Sequence, residues 1–313
     1  MWSIILSQPQ IAESCTLRNT LLNDLSYERI YDKVLSSTEL SSVEKEEFTL
    51  ALQNAYADLD ESIRSYFLNS RRCAQALRYF VEKFGGMGNE RGFIFTLNQD
   101  LLLERLYSNE SGLLQIPALG HPDWFSGRFE GKTAPEVNLP DCDRIGYFRE
   151  KFWEKGTGLQ NFLYIKMHGS YAWKSANNTN AFVIGYEKSG SISKEPLLEW
   201  YLDIFKEVLH VRDQTLVIVG YGFMDRHIND IIADSAKTGL KIHVISPLQP
   251  KQFEQLLDPI HGAGHEAAFR GREIWNMLHG YYCTSLDEMI PSSGSALSLS
   301  GLMQSFLQRT KLT

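Results

Sequence analysis

Three short segments of the chain bring together residue types that could carry out chemistry, and each follows a β-rich apolar run. They read FTLNQD at residues 95–100, KMHGS at residues 166–170 and GYGFMD at residues 220–225. A histidine beside amide and carboxylate side chains is suited to general-base work near neutral pH. Glycines between a strand and a helix let the backbone approach a ligand closely, and the helix N-terminus favours a phosphate group. The candidate residues are therefore Thr96, Asn98, Gln99 and Asp100 in the first segment, His168, Gly169 and Ser170 in the second, and Gly220, Tyr221, Gly222 and Asp225 in the third.

Each segment also has a purely structural explanation. Asn98 and Asp100 could cap the helix that follows them, and Asp225 could be the N-cap of its own helix. His168 could be a histidine whose hydrogen bonds are satisfied in the core, and a Gly-x-Gly at a strand end is common. Three strand ends of this kind in one chain are less easily explained by capping, so the combination favours a ligand site.

Alternating strands and helices must position these segments. The β-rich runs are GFIFTLN, LYIKMHGSYAW, NAFVIGY, LVIVGYG and KIHVIS, and helical patterns such as DLLLERLY, EPLLEWYLDIFKEVLH and MDRHINDIIADSAKTG lie between them, the last closed by Gly239. Strands separated by helices of this length predict parallel βαβ units. Ligands of such sheets bind beyond the carboxyl ends of the strands. The sequence therefore predicts an α/β fold with a Rossmann-like doubly wound parallel sheet.

The first region of the chain has a different composition. It contains no glycine before Gly85, where about six would be expected from the usual glycine share. Apolar residues recur there at three- and four-residue spacing, which is typical of an amphipathic helix; they are Phe48, Leu52, Tyr56 and Leu59. We therefore expect a helical region over residues 1–84.

The remainder divides into a core and a tail. We expect the Rossmann-like core over residues 85–250, interrupted by an irregular insertion at about 109–160, where turn-forming residues are frequent. The C-terminal segment, residues 251–313, is predicted to pack on the core as helices. A serine-rich loose connection at residues 291–301 precedes a short final helix in that segment.

The composition excludes several classes of protein. A formal net charge of −7 and a pI near 5.7 do not favour a surface that binds duplex nucleic acid, so no direct sequence-specific nucleic-acid binding is expected. No apolar run is long enough to span a bilayer, and the first residues lack the features of a signal peptide. The four cysteines, which are far apart and form no Cys-x-x-Cys pair, are expected as buried thiols in a reduced cytoplasm; they are Cys15, Cys73, Cys142 and Cys283.

Taken in order, the three segments resemble the sirtuin-like NAD-consuming domains, especially the bacterial branch found in anti-phage defence. FTLNQD is similar to the Thr-x-Asn-x-Asp motif of that family, and KMHGS to the segment that ends in its catalytic His-Gly. GYGFMDRHIND at residues 220–230 resembles the defence branch's Gly-Tyr-x-Phe-x-Asp-x-His-Ile-Asn and is the most specific of the three. HVISP at residues 243–247 occupies the place of the strand end that usually contacts the adenosine ribose.

The resemblance implies NAD+ as a substrate and assigns roles to the candidates. His168 would take a proton from a ribose hydroxyl while nicotinamide departs through an oxocarbenium-like state, and Asn98 would hold the water that completes hydrolysis. The products would be nicotinamide and ADP-ribose. The remaining candidates would bind NAD+; they are Thr96, Asp100, Gly169, Ser170, Gly220, Tyr221, Gly222, Asp225 and Ser246.

Two departures from the family pattern affect this expectation. The four-cysteine zinc module of the protein deacetylases has no counterpart, so no zinc is expected and NAD+ hydrolysis is favoured over deacetylation. The strand and Gly-Ala-Gly loop that cradle the pyrophosphate also have no counterpart before Gly85, and MWSII resembles the sequence that follows them. A truncated chain, an alternative start and a protein that lacks the loop are the three alternatives. Loss of the first strand would leave a sheet position unfilled, and NAD+ affinity would then be poor unless a partner chain completes the site.

The family also implies partners. A cytoplasmic homo-oligomer is expected, and a hexameric ATPase of a defence system is a candidate partner. The alternative function is therefore a non-catalytic scaffold that assembles with such an ATPase, through the helical region or the aromatic residues Trp124 and Phe125. A deacetylase or ADP-ribosyl transferase is a third alternative, although no peptide-binding cleft is evident in the sequence.

Overall fold

The computed structural model describes residues 2–13, 15–22, 27–69, 71–85, 91–108, 113–122, 134, 136–154, 162–185, 188–257 and 268–290. The chain forms two compact units, which are Met1–Arg71 with Phe84–Trp200 and Arg72–Lys83 with Tyr201–Thr313. The boundaries predicted near residues 84 and 250 stay a prediction. Within the described ranges, no helix combines the length and apolar character needed to cross a membrane.

The region before Gly85 is helical, as its composition predicts. Its helices are α1 (Trp2–Leu6), α2 (Pro9–Glu13), α3 (Cys15–Leu22), α4 (Tyr27–Ser36), α5 (Ser42–Asn69) and α6 (Arg71–Glu82). A capping box begins α5, because the Ser41 N–H donates to a Glu44 carboxylate oxygen at 2.9 Å and the Glu44 N–H donates back to the Ser41 hydroxyl. The apolar stripe of α5 is buried as predicted and joins one core cluster with residues of α1 to α4; its members include Phe48, Leu52 and Tyr56, with Leu59 packed at its edge.

Strands and helices then alternate along the chain. The elements are β1 (Gly92–Thr96), α7 (Leu102–Tyr107), β2 (Leu114–Gln115), β3 (Val137–Asn138), α8 (Cys142–Lys151), β4 (Phe162–Lys166), β5 (Gly169–Lys174), β6 (Asn180–Phe182), α9 (Lys188–Ile192) and α10 (Pro196–Leu209). Helix α6 from Arg72 onward and α10 from Tyr201 onward belong to the second unit. One sheet has the order β1-β4-β2 with parallel pairs, and a second has the order β3-β5-β6. Every residue of β4 is buried, which explains why this strand reads as a continuous apolar run with only one charge.

The run LYIKMHGSYAW was predicted as a single strand, and this prediction is wrong. The strand breaks at Met167 and His168, after which β5 pairs with β6 in a different sheet. Gly169 causes the break, because its φ of +71° turns the chain through the left-handed region that favours glycine. The break places His168 in a tight turn at the end of β4.

The predicted irregular insertion contains more regular structure than the sequence suggested. Its described part includes β2, β3 and the ten-residue helix α8. The Asp141 carboxylate caps α8 by accepting from the Arg144 N–H at 2.9 Å, and this Asp before a helical run was a usable start signal.

The second unit holds a parallel sheet of its own. Its elements after α10 are β7 (Thr215–Val219), α11 (Arg226–Asp234), a 3-10 turn (Ser235–Thr238), β8 (Lys241–Ser246), α12 (Pro250–Leu257), α13 (Gly271–Asn276), β9 (Leu278–Cys283) and α14 (Leu286–Met289). The strand order is β7-β8-β9, and both pairs are parallel. Gly239 ends the helical run with a φ of +80°, as predicted. The parallel pairs and interleaved helices confirm the predicted Rossmann-like α/β class.

Other sequence predictions have mixed outcomes. Cys73 is buried as expected, but Cys142 and Cys283 are exposed, so the expectation of buried thiols is wrong for those two. Cys142 is exposed because it begins the surface helix α8. The side chain of Cys15, the aromatic pair at Trp124, the serine-rich connection and the final helix lie outside the described residues.

Candidate active site

The carboxyl ends of β1 and β4 lie side by side in the first unit. The two strands are parallel, with Thr96 opposite Lys166, and the Met167 N–H donates to the Thr96 carbonyl at 3.0 Å. Two segments therefore leave the sheet at the same edge: the corner that follows β1 and carries Asn98, and the turn that follows β4 and carries His168. Ligands of α/β proteins bind at this edge. The structure thus brings together the first two segments predicted from the sequence.

At the corner after β1, helix capping accounts for Asp100 but not for Asn98. Asp100 accepts a hydrogen bond from the Leu102 N–H at 2.9 Å, so its carboxylate does stabilise the first turn of α7. Asn98 has its backbone N–H bonded to the Thr96 hydroxyl at 3.1 Å, and its side chain is exposed. Asp100 thus makes the hydrogen bond to the helix, while the Asn98 side chain is left exposed at the strand edge.

His168 is almost completely buried, with 1% of its surface exposed. Its carbonyl accepts from the Val183 N–H at 2.9 Å, just after β6. A core histidine and a catalytic histidine can both be buried to this extent, so burial alone does not distinguish the two roles. The position of His168 at the ligand-binding edge of β4 is what favours the catalytic role.

Gly169 and Ser170 hold the turn in place. A Cβ added at Gly169 would lie 2.0 Å from the Ala181 carbonyl oxygen, so β6 approaches closer than any side chain allows. Ser170 is fully buried, and its hydroxyl donates to the Gln99 carbonyl at 3.2 Å. Both residues therefore have a structural task at the site, and their contact with NAD+ stays a prediction.

Gly169→Ala is expected to lower the free energy of unfolding by about 2–5 kcal/mol, since left-handed backbone strain and overpacking add together. Urea unfolding followed by circular dichroism measures the change. Gly146→Ala in α8 is the matched control, because its Cβ meets no described atom within 4 Å, and alanine there should be neutral or stabilising. Equal unfolding midpoints for the two variants would contradict the assignment.

Two buried ion pairs lie directly behind the corner. Lys166 and Glu104 are both fully buried, and the Lys166 Nζ lies 2.8 Å from a Glu104 carboxylate oxygen; the Lys166 ammonium also donates to the Asp100 carbonyl. Burial raises the pKa of Glu104, and the nearby Lys166 charge opposes that rise. Arg105 forms the second pair with Asp60 of α5. The sequence analysis missed both pairs, although a lysine within the apolar run FLYIKM was a signal.

In the second unit, the ends of β7 and β8 are also adjacent. The Gly220 N–H donates to the Ile245 carbonyl at 3.1 Å, and Gly220 has a φ of +64°. A Cβ added at Gly220 or Gly222 would meet no described atom within 4 Å beyond its chain neighbours. The backbone here is exposed and open, as the close approach of a phosphate requires.

Asp225 occupies the N-cap position of α11, but its carboxylate makes no capping hydrogen bond. The capping explanation therefore does not account for this side chain. Ser246 ends β8 with 7% of its surface exposed, and its hydroxyl accepts from the Leu248 N–H at 3.3 Å. The second unit thus places Ser246 at the end of the strand adjacent to β7, as predicted.

Asn229 is a site residue that the sequence analysis did not single out. It is fully buried, and its amide donates to the carbonyls of Phe223 at 2.7 Å and Phe269 at 3.1 Å. Its amide oxygen accepts from the Tyr221 hydroxyl at 3.0 Å. Asn229 therefore fixes the loop that carries the glycines, and its place in GYGFMDRHIND was the available signal.

Comparison with known families agrees with this geometry. The model of the SIR2-like domain matches residues 92–256, which is 165 of the 313 residues and runs from β1 to α12. A search of the curated proteins finds no match. SIR2-like domains bind NAD+. The chain therefore belongs to the SIR2-like domain family, whose members are generally NAD-dependent enzymes.

Proposed function

We propose that the protein is an NAD+ hydrolase that cleaves the bond between nicotinamide and ribose. The observation that carries the proposal is the parallel register of β1 and β4, which puts the Asn98 corner and the His168 turn at one sheet edge. Both lie within the residues matched by the SIR2-like domain.

The chemistry requires few protein groups. Water adds to the anomeric carbon of the ribose as the glycosidic bond breaks, and the products are nicotinamide, ADP-ribose and one proton. His168 accepts a proton from a ribose hydroxyl, which stabilises the positive charge that develops on the sugar. Asn98 orients the attacking water through its exposed amide. Neither step needs a metal ion.

The remaining predicted residues are proposed to bind the rest of the substrate. Thr96 and Asp100 belong to the corner that carries Asn98, and Gly169 and Ser170 to the turn that carries His168. In the second unit, the open backbone at the β7 end supports a contact with phosphate oxygens; the residues assigned there are Gly220, Tyr221, Gly222, Asp225 and Ser246.

The biological role we propose is depletion of NAD+ in bacterial anti-phage defence. It is supported by the resemblance of GYGFMDRHIND to the motif of the defence branch. A homo-oligomer and an ATPase partner belong to the same proposal. A stable large ring that binds no NAD+, seen by size-exclusion chromatography with light scattering, would instead support the scaffold alternative.

Asn98→Ala is expected to slow ADP-ribose formation about 10²-fold or more, because removal of one positioned hydrogen-bonding group costs an enzyme this much. Chromatography of reaction products at NAD+ up to about 1 mM measures the rate. The side chain is exposed, so the fold should be unaffected. Asn177→Ala is the matched control, since Asn177 is an exposed amide in the turn between β5 and β6. Equal rates for the two variants would contradict the role of Asn98.

A further inference from the structure

Gln99 lies between Asn98 and Asp100 and makes hydrogen bonds through both its side chain and its backbone. Only 6% of its surface is exposed. Its amide oxygen accepts from the Tyr56 hydroxyl at 2.7 Å, and its amide nitrogen donates to the Val183 carbonyl at 2.9 Å. Its backbone carbonyl accepts from the Tyr171 N–H at 3.2 Å and also from the Ser170 hydroxyl.

These bonds connect the corner to both sides of the His168 turn. Val183, which accepts from the Gln99 amide, donates its own N–H to the His168 carbonyl. Ser170 and Tyr171, which donate to the Gln99 carbonyl, follow His168 on the other side. One residue adjacent to Asn98 therefore fixes the backbone on which His168 sits.

Helix α5 contacts Gln99 through Tyr56. The ring of Tyr56 stacks on Tyr171 with centroids 5.7 Å apart and an interplanar angle of 9°. One helical turn further along α5, Asp60 pairs with the buried Arg105 of α7. The helical region thus contacts Gln99 of the corner through the Tyr56 hydroxyl and the following helix α7 through Asp60.

We infer that Gln99, oriented by Tyr56, is a positioning residue that sets the Asn98 amide relative to His168 for NAD+ cleavage; this inference rests on the proposed function. The position requires a donor toward the Val183 carbonyl and an acceptor toward the Tyr56 hydroxyl. A neutral primary amide supplies both. An apolar side chain would remove both of these buried hydrogen bonds, which is costly.

Gln99→Glu distinguishes a positioning role from a purely structural role. A protonated glutamic acid donates through its hydroxyl to the Val183 carbonyl and accepts from Tyr56, so it mimics glutamine. The carboxylate form has no donor and carries a buried charge. The ratio of kcat for the variant to kcat for the wild type should therefore rise about tenfold or more from about pH 8 to about pH 6. The wild type is measured at the same two pH values, so pH effects common to both proteins cancel in the ratio. Gln75→Glu, at an exposed glutamine of α6, should give a ratio near one that does not change with pH.

Tyr56→Phe keeps the ring stacking and removes only the hydroxyl, so it tests the inference if Gln99→Glu fails to fold. It should lower kcat about fivefold to tenfold, whereas Tyr147→Phe, at a tyrosine of α8 that is 56% exposed, should not. This inference alone would be overturned by three results together. The wild type would release nicotinamide, the kcat ratio of folded Gln99→Glu would not change with pH, and Tyr56→Phe would keep the wild-type kcat. A wild type that releases no nicotinamide would overturn the proposed function and this inference with it.

Discussion

His168→Ala is expected to lower the kcat of nicotinamide release by about 10²–10⁴-fold, the range that follows from loss of a general base. His168 lies in the turn after β4, at the same sheet edge as the Asn98 corner, and an alanine side chain can accept no proton. Product chromatography under saturating NAD+ measures the effect. Because His168 is 1% exposed, thermal unfolding must be recorded in parallel to show that the variant is folded.

His210→Ala is the matched control for this experiment. His210 is an exposed histidine at the end of α10 whose ring nitrogen lies 2.6 Å from the Lys206 carbonyl. Its removal should leave kcat within about twofold of the wild-type value, as for a surface substitution remote from the chemistry. A folded His168→Ala variant with the kcat of the control would show that His168 is only a core residue.

Lys166→Met is expected to lower the free energy of unfolding by about 3–5 kcal/mol, because it leaves the fully buried Glu104 carboxylate without its counter-charge. Burial already raises the pKa of Glu104, and loss of Lys166 raises it further. A carboxyl with a raised pKa binds its proton more tightly in the folded state. Stability is therefore retained below the ordinary glutamate pKa and is lost as the pH rises through the raised value. Urea unfolding at several pH values measures this slope.

Lys151→Met is the matched control, since Lys151 lies 3.8 Å from Glu154 in an exposed pair and should cost less than about 1 kcal/mol. The double variant Lys166→Met with Glu104→Leu removes both charges and should recover part of the lost stability. A Lys166→Met variant as stable as the control at neutral pH would contradict the account of the buried pair.

Local signals predicted the elements that carry the site, since strand and helix patterns depend on neighbouring residues. The apolar run of β7, the helix after it and the closing Gly239 are all found where the sequence placed them. The break within LYIKMHGSYAW was missed because it depends on β6, whose carbonyl at Ala181 comes within reach of Gly169 only in the folded chain.

The sequence predicted the residue types of the candidate site but not the hydrogen bonds and ion pairs that hold them in place. The motifs identified Asn98 and His168, and the structure places them at one sheet edge. The partners of Gln99 lie 43 and 84 residues away in the chain, and Lys166 lies 62 residues from Glu104. Such long-range pairs leave no periodicity in the sequence, so only the folded structure shows them.

The central claim is that Asn98 and His168, at the ends of β1 and β4, hydrolyse NAD+. Measurement of product stoichiometry tests this claim most directly. Wild-type protein incubated with NAD+ should form nicotinamide and ADP-ribose in equal amounts, with no acetylated peptide or acceptor protein added. The double variant Asn98→Ala with His168→Ala should form neither product, while Asn177→Ala with His210→Ala should match the wild type. Absence of nicotinamide with the wild type, or equal product from both double variants, would contradict the account.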